Sequence, residues 1–189
     1  MLTKRLCKRL IGLGLVAWWA TGAQAAVEFE LQQSGNIIRV QAVSSENYHA
    51  PLNRTASAQV TLRVPAGTSL ENTATGETGR VTSVHGDWQL NSRSDRPVEN
   101  PAFDYLSIGL TELGTTGIPY QADVPVTLFE FEVSNCRGVI RLLDNDSDAF
   151  NKMPNSANSN PGNQIAVLGE GGDNAWRKGA ANQQVRCRP

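Results

Sequence analysis

Apolar side chains recur at every second residue along almost the whole chain, a spacing that matches the two faces of a β-strand and not the stripe of a helix. Val27, Phe29 and Leu31 alternate with Glu28, Glu30 and Gln32, and Ile38, Val40 and Ala42 resume after a turn at Ser34-Gly35-Asn36. Ala58, Val60, Leu62 and Val64 alternate with Gln59, Thr61 and Arg63 until Pro65-Ala66-Gly67 ends the run. Short strands are expected at 81–84 and 88–90, and Leu106, Ile108 and Leu110 mark another. The clearest spans 126–133, with Phe129, Phe131 and Val133 on one face and Glu130 and Glu132 on the other. Strands at 139–143, around Ile165 and Val167, and at Val185 complete the series. Eight to ten short strands with turn signals between them, and no helical block, predict an all-β chain. The expected architecture is an antiparallel β-sandwich of jelly-roll or Greek-key topology with about nine strands.

Two stretches break this rhythm. Residues 71–79 are polar and rich in Thr and Gly, and 144–162 are rich in Asn, Ser, Asp and Pro. A loop as long as the second is expected to be either functional or held by something specific.

The N-terminus has its own logic. Lys4, Arg5, Lys8 and Arg9 precede an apolar run at 10–20, and Ala23-Gln24-Ala25 supplies a small-x-small exit. That order predicts a secretory signal peptide over 1–25 and a single domain over 26–189. The apolar run is too short to be read as an anchor, and no membrane span is expected in the mature chain. The expected location is secreted, either extracellular or periplasmic. Four of the 17 basic residues and none of the 18 acidic ones fall in 1–25, which leaves the remainder at a net charge of −5. A mildly acidic surface argues against nucleic acid as a partner. Cys7 goes with the leader; Cys136 and Cys187 remain, and an even pair in an exported domain is read as a disulfide.

Candidate chemistry is sparse. His49 and His85 sit in polar, turn-like contexts without an HExxH or triad-like neighbourhood, and no GxSxG or phosphate loop is present. A polysaccharide hydrolase needs two carboxylates at a spatial separation that spacing does not reveal; Asp87, Asp104, Glu112 and Glu130 are the candidates. The sharpest local pattern is Asp144, Asp146 and Asp148, spaced as positions 1, 3 and 5 of a calcium loop. Ala149 stands where the sixth position wants Gly and Asn155 where the twelfth wants Glu, so the pattern allows either a looser Ca²⁺ site completed by Asn151 and Asn155, or a solvated turn. Among the aromatic residues, Trp88 reads as core and Tyr105 as a core or sheet-edge residue, and Tyr120 and Trp176 are the candidates for ligand contact.

Several segments resemble a known family. Gln59-Val60-Thr61-Leu62-Arg63-Val64-Pro65-Ala66-Gly67 and Val81-Thr82-Ser83-Val84-His85-Gly86-Asp87-Trp88 resemble early strands of cohesin-like modules. The run from Val124-Pro125 to Val133 resembles their strand after a turn, and Leu142 to Phe150 and Asn160 to Gln164 are similar to recurring pieces of exported bacterial surface domains. The resemblance spans roughly 27–170. It implies a jelly-roll sandwich like that of cohesins and some carbohydrate-binding modules, which are non-catalytic, bind a protein or a polysaccharide, and in some cases hold calcium. The chain departs from that pattern in lacking Thr/Pro linkers and in its cysteine pair.

Together these readings point to an exported, non-catalytic module for extracellular adhesion, matrix or carbohydrate recognition, partnered by a polysaccharide or an extracellular protein. An alternative is the structural subunit of a filament or coat, self-assembling through sheet-edge pairing, with the strand at Val27 donated to a neighbour.

Overall fold

The computed structural model describes residues 27–111, 116–171, 174–179 and 183–187. The expected leader therefore lies outside the described residues. Among the described residues no helix is long and apolar enough to cross a membrane.

Two sheets face each other. The first runs β12 (Trp176–Arg177), β1 (Val27–Ser34), β2 (Ile37–Ser44), β9 (Val126–Ser134), β4 (Ser69–Glu71), with β5 (Thr82–Ser83) also on β9. The second runs β13 (Gln184–Arg186), β10 (Val139–Leu142), β3 (Arg54–Pro65), β7 (Phe103–Leu110), β6 (Trp88–Asp95). Two further strands, β8 (Thr116–Gly117) and β11 (Gln164–Val167), pair with the N-terminal half of β3. Between the named strands the pairing is antiparallel, except that β12 lies parallel to β1. This is the antiparallel sandwich that the period-two pattern called for.

Alternation places each strand. Val27, Phe29 and Leu31 of β1, Val60, Leu62 and Val64 of β3, and Leu106 and Ile108 of β7 are buried between the sheets. Each such side chain contributes roughly 1.5–3 kcal/mol by leaving water. Gly35, at φ 64°, sits in the two-residue turn of the β1–β2 hairpin, where a positive φ matches the twist of the strands. A bulge between Val40 and Gln41 makes Leu128 the extra residue of β9, so Leu128 and its neighbour Phe129 both point inward. Trp88 fills the core beside Phe129, with ring centroids 5.1 Å apart.

Some expectations need adjustment. β6 continues to Asp95 instead of ending near Leu90, because an edge strand carries polar residues such as Asn91 and Ser92 on its exposed part. The short strand at 81–84 shrinks to Thr82–Ser83. β1 is not free for donation to a neighbour: it is registered with β2 through eight residue pairs, and its apolar residues lie in this domain's own core. Cys136 and Cys187 form a disulfide, with Cα atoms 5.6 Å apart, which ties the end of β13 to the start of β10.

The second sheet is covered in part on its outer face as well. Tyr105, Phe150 and Leu143 form a small separate core with Phe103 against it, and the Tyr105 and Phe150 rings lie 4.4 Å apart. The segment 144–163 folds back over β3 and β7 to build it.

Candidate functional site

Where β10 parts from β3 and the long segment begins, a groove of about 470 Å³ opens on the outer face of the second sheet. Its floor and walls come from β3, β10, β13 and the loops at 99–100 and 143–149. Arg63 on β3 and Arg141 on β10 are direct cross-strand partners there, and Arg141 is opposite Gln184 on β13. Alternation fixes this orientation: Leu62, Leu142, Ile140 and Val185 point into the core, so Arg63, Arg141 and Gln184 point out.

The loop that roofs one side is held by asparagine amides. Asn145 Oδ1 accepts the Asn163 backbone N–H at 2.8 Å while its Nδ2 donates to the Asn163 carbonyl at 2.9 Å, an amide pair that imitates a strand ladder. Asn155 Nδ2 donates to the carbonyls of Phe150 and Ser159, and its Oδ1 accepts from Ser159 N–H. Asn151 Nδ2 donates to the Asn145 carbonyl. These bonds account for the order of a segment with little apolar content, since buried backbone groups need partners wherever no strand provides them.

The three spaced aspartates go different ways. Asp144 closes a turn: Oδ1 accepts from the N–H groups of Asp146 and Ser147, and Oδ2 accepts from Ser147 Oγ at 2.7 Å and Lys178 Nζ at 2.6 Å. The Lys178 ammonium, then the Ser147 hydroxyl, hold the Asp144 carboxyl well below the usual carboxylate range. Asp146 is exposed. Asp148 is buried: Oδ2 accepts from Arg63 Nη1 at 3.0 Å, and Oδ1 accepts from Tyr105 OH at 2.9 Å and Phe150 N–H at 3.0 Å. Burial, then the bond to Asp148, pushes the Tyr105 phenol up to about 12. Arg63 also lies over the Phe103 ring, 4.6 Å from its centroid.

Two of the three carboxylates already neutralise a cation of this chain, and among the described residues no group of three His, Cys, Asp or Glu side chains is placed to hold a metal. The pattern legible in sequence is a turn with a buried ion pair at its end.

The two aromatic candidates lie in different surroundings. Tyr120 is 2 % exposed, its hydroxyl bonds Thr55 Oγ1 at 3.0 Å, and its ring meets Tyr48 edge-on, so it is core. Trp176 is half-buried against the main core on β12, with its indole Nε1 buried and without a partner among the described residues. The carboxylates considered for hydrolysis hold structure instead. Asp104 is buried against Arg93 and the N–H groups of Gly67 and Arg96, Glu130 pairs with Arg39, and Asp87 accepts from Thr111 and Gln89. Glu112 lies outside the described residues. His85 Nδ1 is 2.8 Å from the Thr127 carbonyl, and His49 is exposed.

What sequence reading missed is the basic row, Arg63 and Arg141, with Lys178 beside it. Each arginine occupies the polar phase of its own strand, which is legible; that β10 lies beside β3 in that register is a tertiary fact.

No family model and no curated protein matches the chain. Among solved structures the chain is similar to a type II cohesin from Acetivibrio cellulolyticus seen in a cohesin–X-dockerin complex, at 13 % identity over 82 % of this chain and 94 % of that one, with a TM-score of 0.37. It is similar also to the second type II cohesin module of a cellulosomal adaptor scaffoldin from the same organism, at 14 % identity over 88 % and 99 %, with a TM-score of 0.37.

Proposed function

We propose that the protein is an exported, non-catalytic binding module, acting in extracellular adhesion, matrix or carbohydrate recognition, and that the groove beside β10 is where it takes its ligand. The observation that carries this reading is the pairing of a concave polar surface with rigid support. Arg63, Arg141, Leu142 and Gln184 of the groove stand on registered strands, one wall is tethered by the Cys136–Cys187 disulfide, and the other is fixed by the Asn145–Asn163 amide pair. Preorganised polar groups bind with little ordering cost. The acids around the groove favour binding over turnover, since Asp144 and Asp148 are each committed to a cation and Glu99 accepts from Ser156 N–H and Oγ at 2.6 Å.

Ala149 is exposed on the rim, so Ala149→Trp plugs the groove without touching the core. On a glycan array, the native protein is expected to bind a subset of polysaccharides, Ala149→Trp to lose that binding, and no bound glycan to be shortened. Binding unchanged by Ala149→Trp places the ligand elsewhere, and glycan shortening makes the protein an enzyme.

A further inference from the structure

We infer that the groove is selective for carboxylated polysaccharides, with Arg141 and Arg186 as the groups that read the carboxylates; this deepens the binding-module reading and rests on it. Arg63 and Arg141 are like charges placed directly opposite each other, an arrangement that costs stability in a sheet. Arg63 is offset by the buried Asp148 carboxylate. Arg141 is exposed and, among the described residues, has neither an ion-pair nor a hydrogen-bond partner.

The same holds for Arg186, which is exposed on the same outer face of the ribbon: it pairs with Val139, diagonal to Arg141. Two uncompensated guanidinium groups thus follow one another along β10–β13 and lead out of the groove, on a mature chain whose net charge is −5. Two of the acidic side chains that line the groove are already paired with cations of this chain, Asp144 with Lys178 and Asp148 with Arg63. A guanidinium presents a planar fork that matches a carboxylate bidentately, so an extended polymer with a carboxylate on successive units satisfies both arginines in turn.

The groove favours a sugar over an acidic peptide. Its apolar lining consists of Leu142 and Leu143, 7 % and 2 % exposed, and the short Ala149, so it has no pocket for the apolar or aromatic anchors on which peptide and protein partners depend. Hydroxyl-rich units meet Gln184 and Ser147 instead.

The test is calorimetry of the native protein with polygalacturonate, its methyl-esterified form and a poly-glutamate peptide, with Arg141→Gln, Arg186→Gln and Ala149→Trp alongside. Both arginines are exposed, and melting temperatures no lower than that of the native protein confirm folding. Polygalacturonate is expected to bind, the esterified form to bind at least about tenfold more weakly, and each Arg→Gln change to weaken binding about tenfold. Affinity is expected to fall as NaCl is raised. Equal binding of the esterified polymer with Ala149→Trp still inactive overturns carboxylate selectivity and leaves the groove intact. Binding of poly-glutamate as tight as that of polygalacturonate overturns the polysaccharide. Absence of any binding to the three probes overturns the inference, while the array decides the broader reading separately.

Discussion

Asn163 stands in for a strand residue beside Thr61. Its Oδ1 accepts the Thr61 backbone N–H at 2.8 Å and its Nδ2 donates to the Leu143 carbonyl at 2.7 Å, while Leu143 N–H reaches the Thr61 carbonyl at 2.8 Å. One side chain therefore seals the gap between β10 and β11, where the ladder on β3 would otherwise be open.

Replacing Asn163 with Leu leaves a buried donor and a buried acceptor unpaired. Each such group costs about 1–3 kcal/mol, so Asn163→Leu is expected to lower stability by about 2–6 kcal/mol. Urea denaturation measures the change. A loss within a few tenths of a kcal/mol means that water or a shifted backbone supplies the partners instead.

The sandwich was legible in the sequence because burial on one face imposes a period of two, and Val27 to Leu31 or Ala58 to Val64 can satisfy it in only one way. The disulfide was legible from compartment and parity. The site was not, and the three aspartates show why. Spacing says which carboxylates are near one another along the chain; it does not say that Lys178, 34 residues away, lies beside Asp144, or that Arg63, 85 residues before Asp148, enters from another strand. Tyr120 failed for a similar reason. Its sequence neighbours are mixed, Ile118 and Pro119 before it and Gln121 and Asp123 after it, yet Thr55 waits in the interior for its hydroxyl.

Calcium is expected to leave the protein unchanged. Metal binding at 144–148 would have to displace Lys178 from Asp144 and break the buried Arg63–Asp148 pair, leaving a guanidinium without its carboxylate. Differential scanning calorimetry with millimolar Ca²⁺ against EDTA is expected to give the same melting temperature. An upward shift that disappears in Asp146→Ala would restore the metal site.

The Asp144–Lys178 contact is readable through pH. The folded-state pKa of Asp144 is depressed, so its contribution is present above the unfolded value of about 3.9 and is lost as pH falls through the folded value. Lys178→Met removes the largest cause of that depression. The urea midpoints of native and Lys178→Met proteins are expected to differ slightly at neutral pH and to converge in strong acid. The effect is small because the contact is solvent-facing, and added salt should shrink it further. A carbon-detected NMR titration should show the Asp144 carboxyl moving back toward the usual range in the variant.

Alkali should unfold the protein through its tyrosines. The sequence has three, Tyr48, Tyr105 and Tyr120, and burial raises all of them above the ordinary phenol value of 10.0, with Glu170 adding to the effect at Tyr48 and Asp148 at Tyr105. A raised folded value means that the stability is fully present below about pH 10 and is lost as pH rises toward the folded values, about 12 for Tyr105. Absorbance at 295 nm is expected to show little phenolate at pH 10.0, where a free tyrosine is half ionised, and then a cooperative rise that coincides with loss of the far-ultraviolet β signal. A gradual rise centred at pH 10.0 would mean that the three hydroxyls are open to water.

The disulfide should matter to the groove as well as to the fold. Cys136 and Cys187 are 51 residues apart, and opening that loop is expected to cost about 4 kcal/mol in the chain-entropy account. The strain falls on β13, which has three residues and is held by its pairing with β10, by Val185 in the core and by the Cys187 N–H to the Gly138 carbonyl. A strand that short is marginal without its tether. Gln184 lines the groove and Arg186 follows it on the same face, so reduction frees the wall that carries both. The Cys136→Ser/Cys187→Ser variant is therefore expected to melt at a lower temperature and, at a temperature where it is still folded, to bind the groove's ligand more weakly than the oxidised protein. Hydrogen exchange localises the cause: faster exchange confined to 184–186 and the facing part of β10 ties the lost affinity to the wall, whereas unchanged affinity with those amides exposed removes β13 from the site.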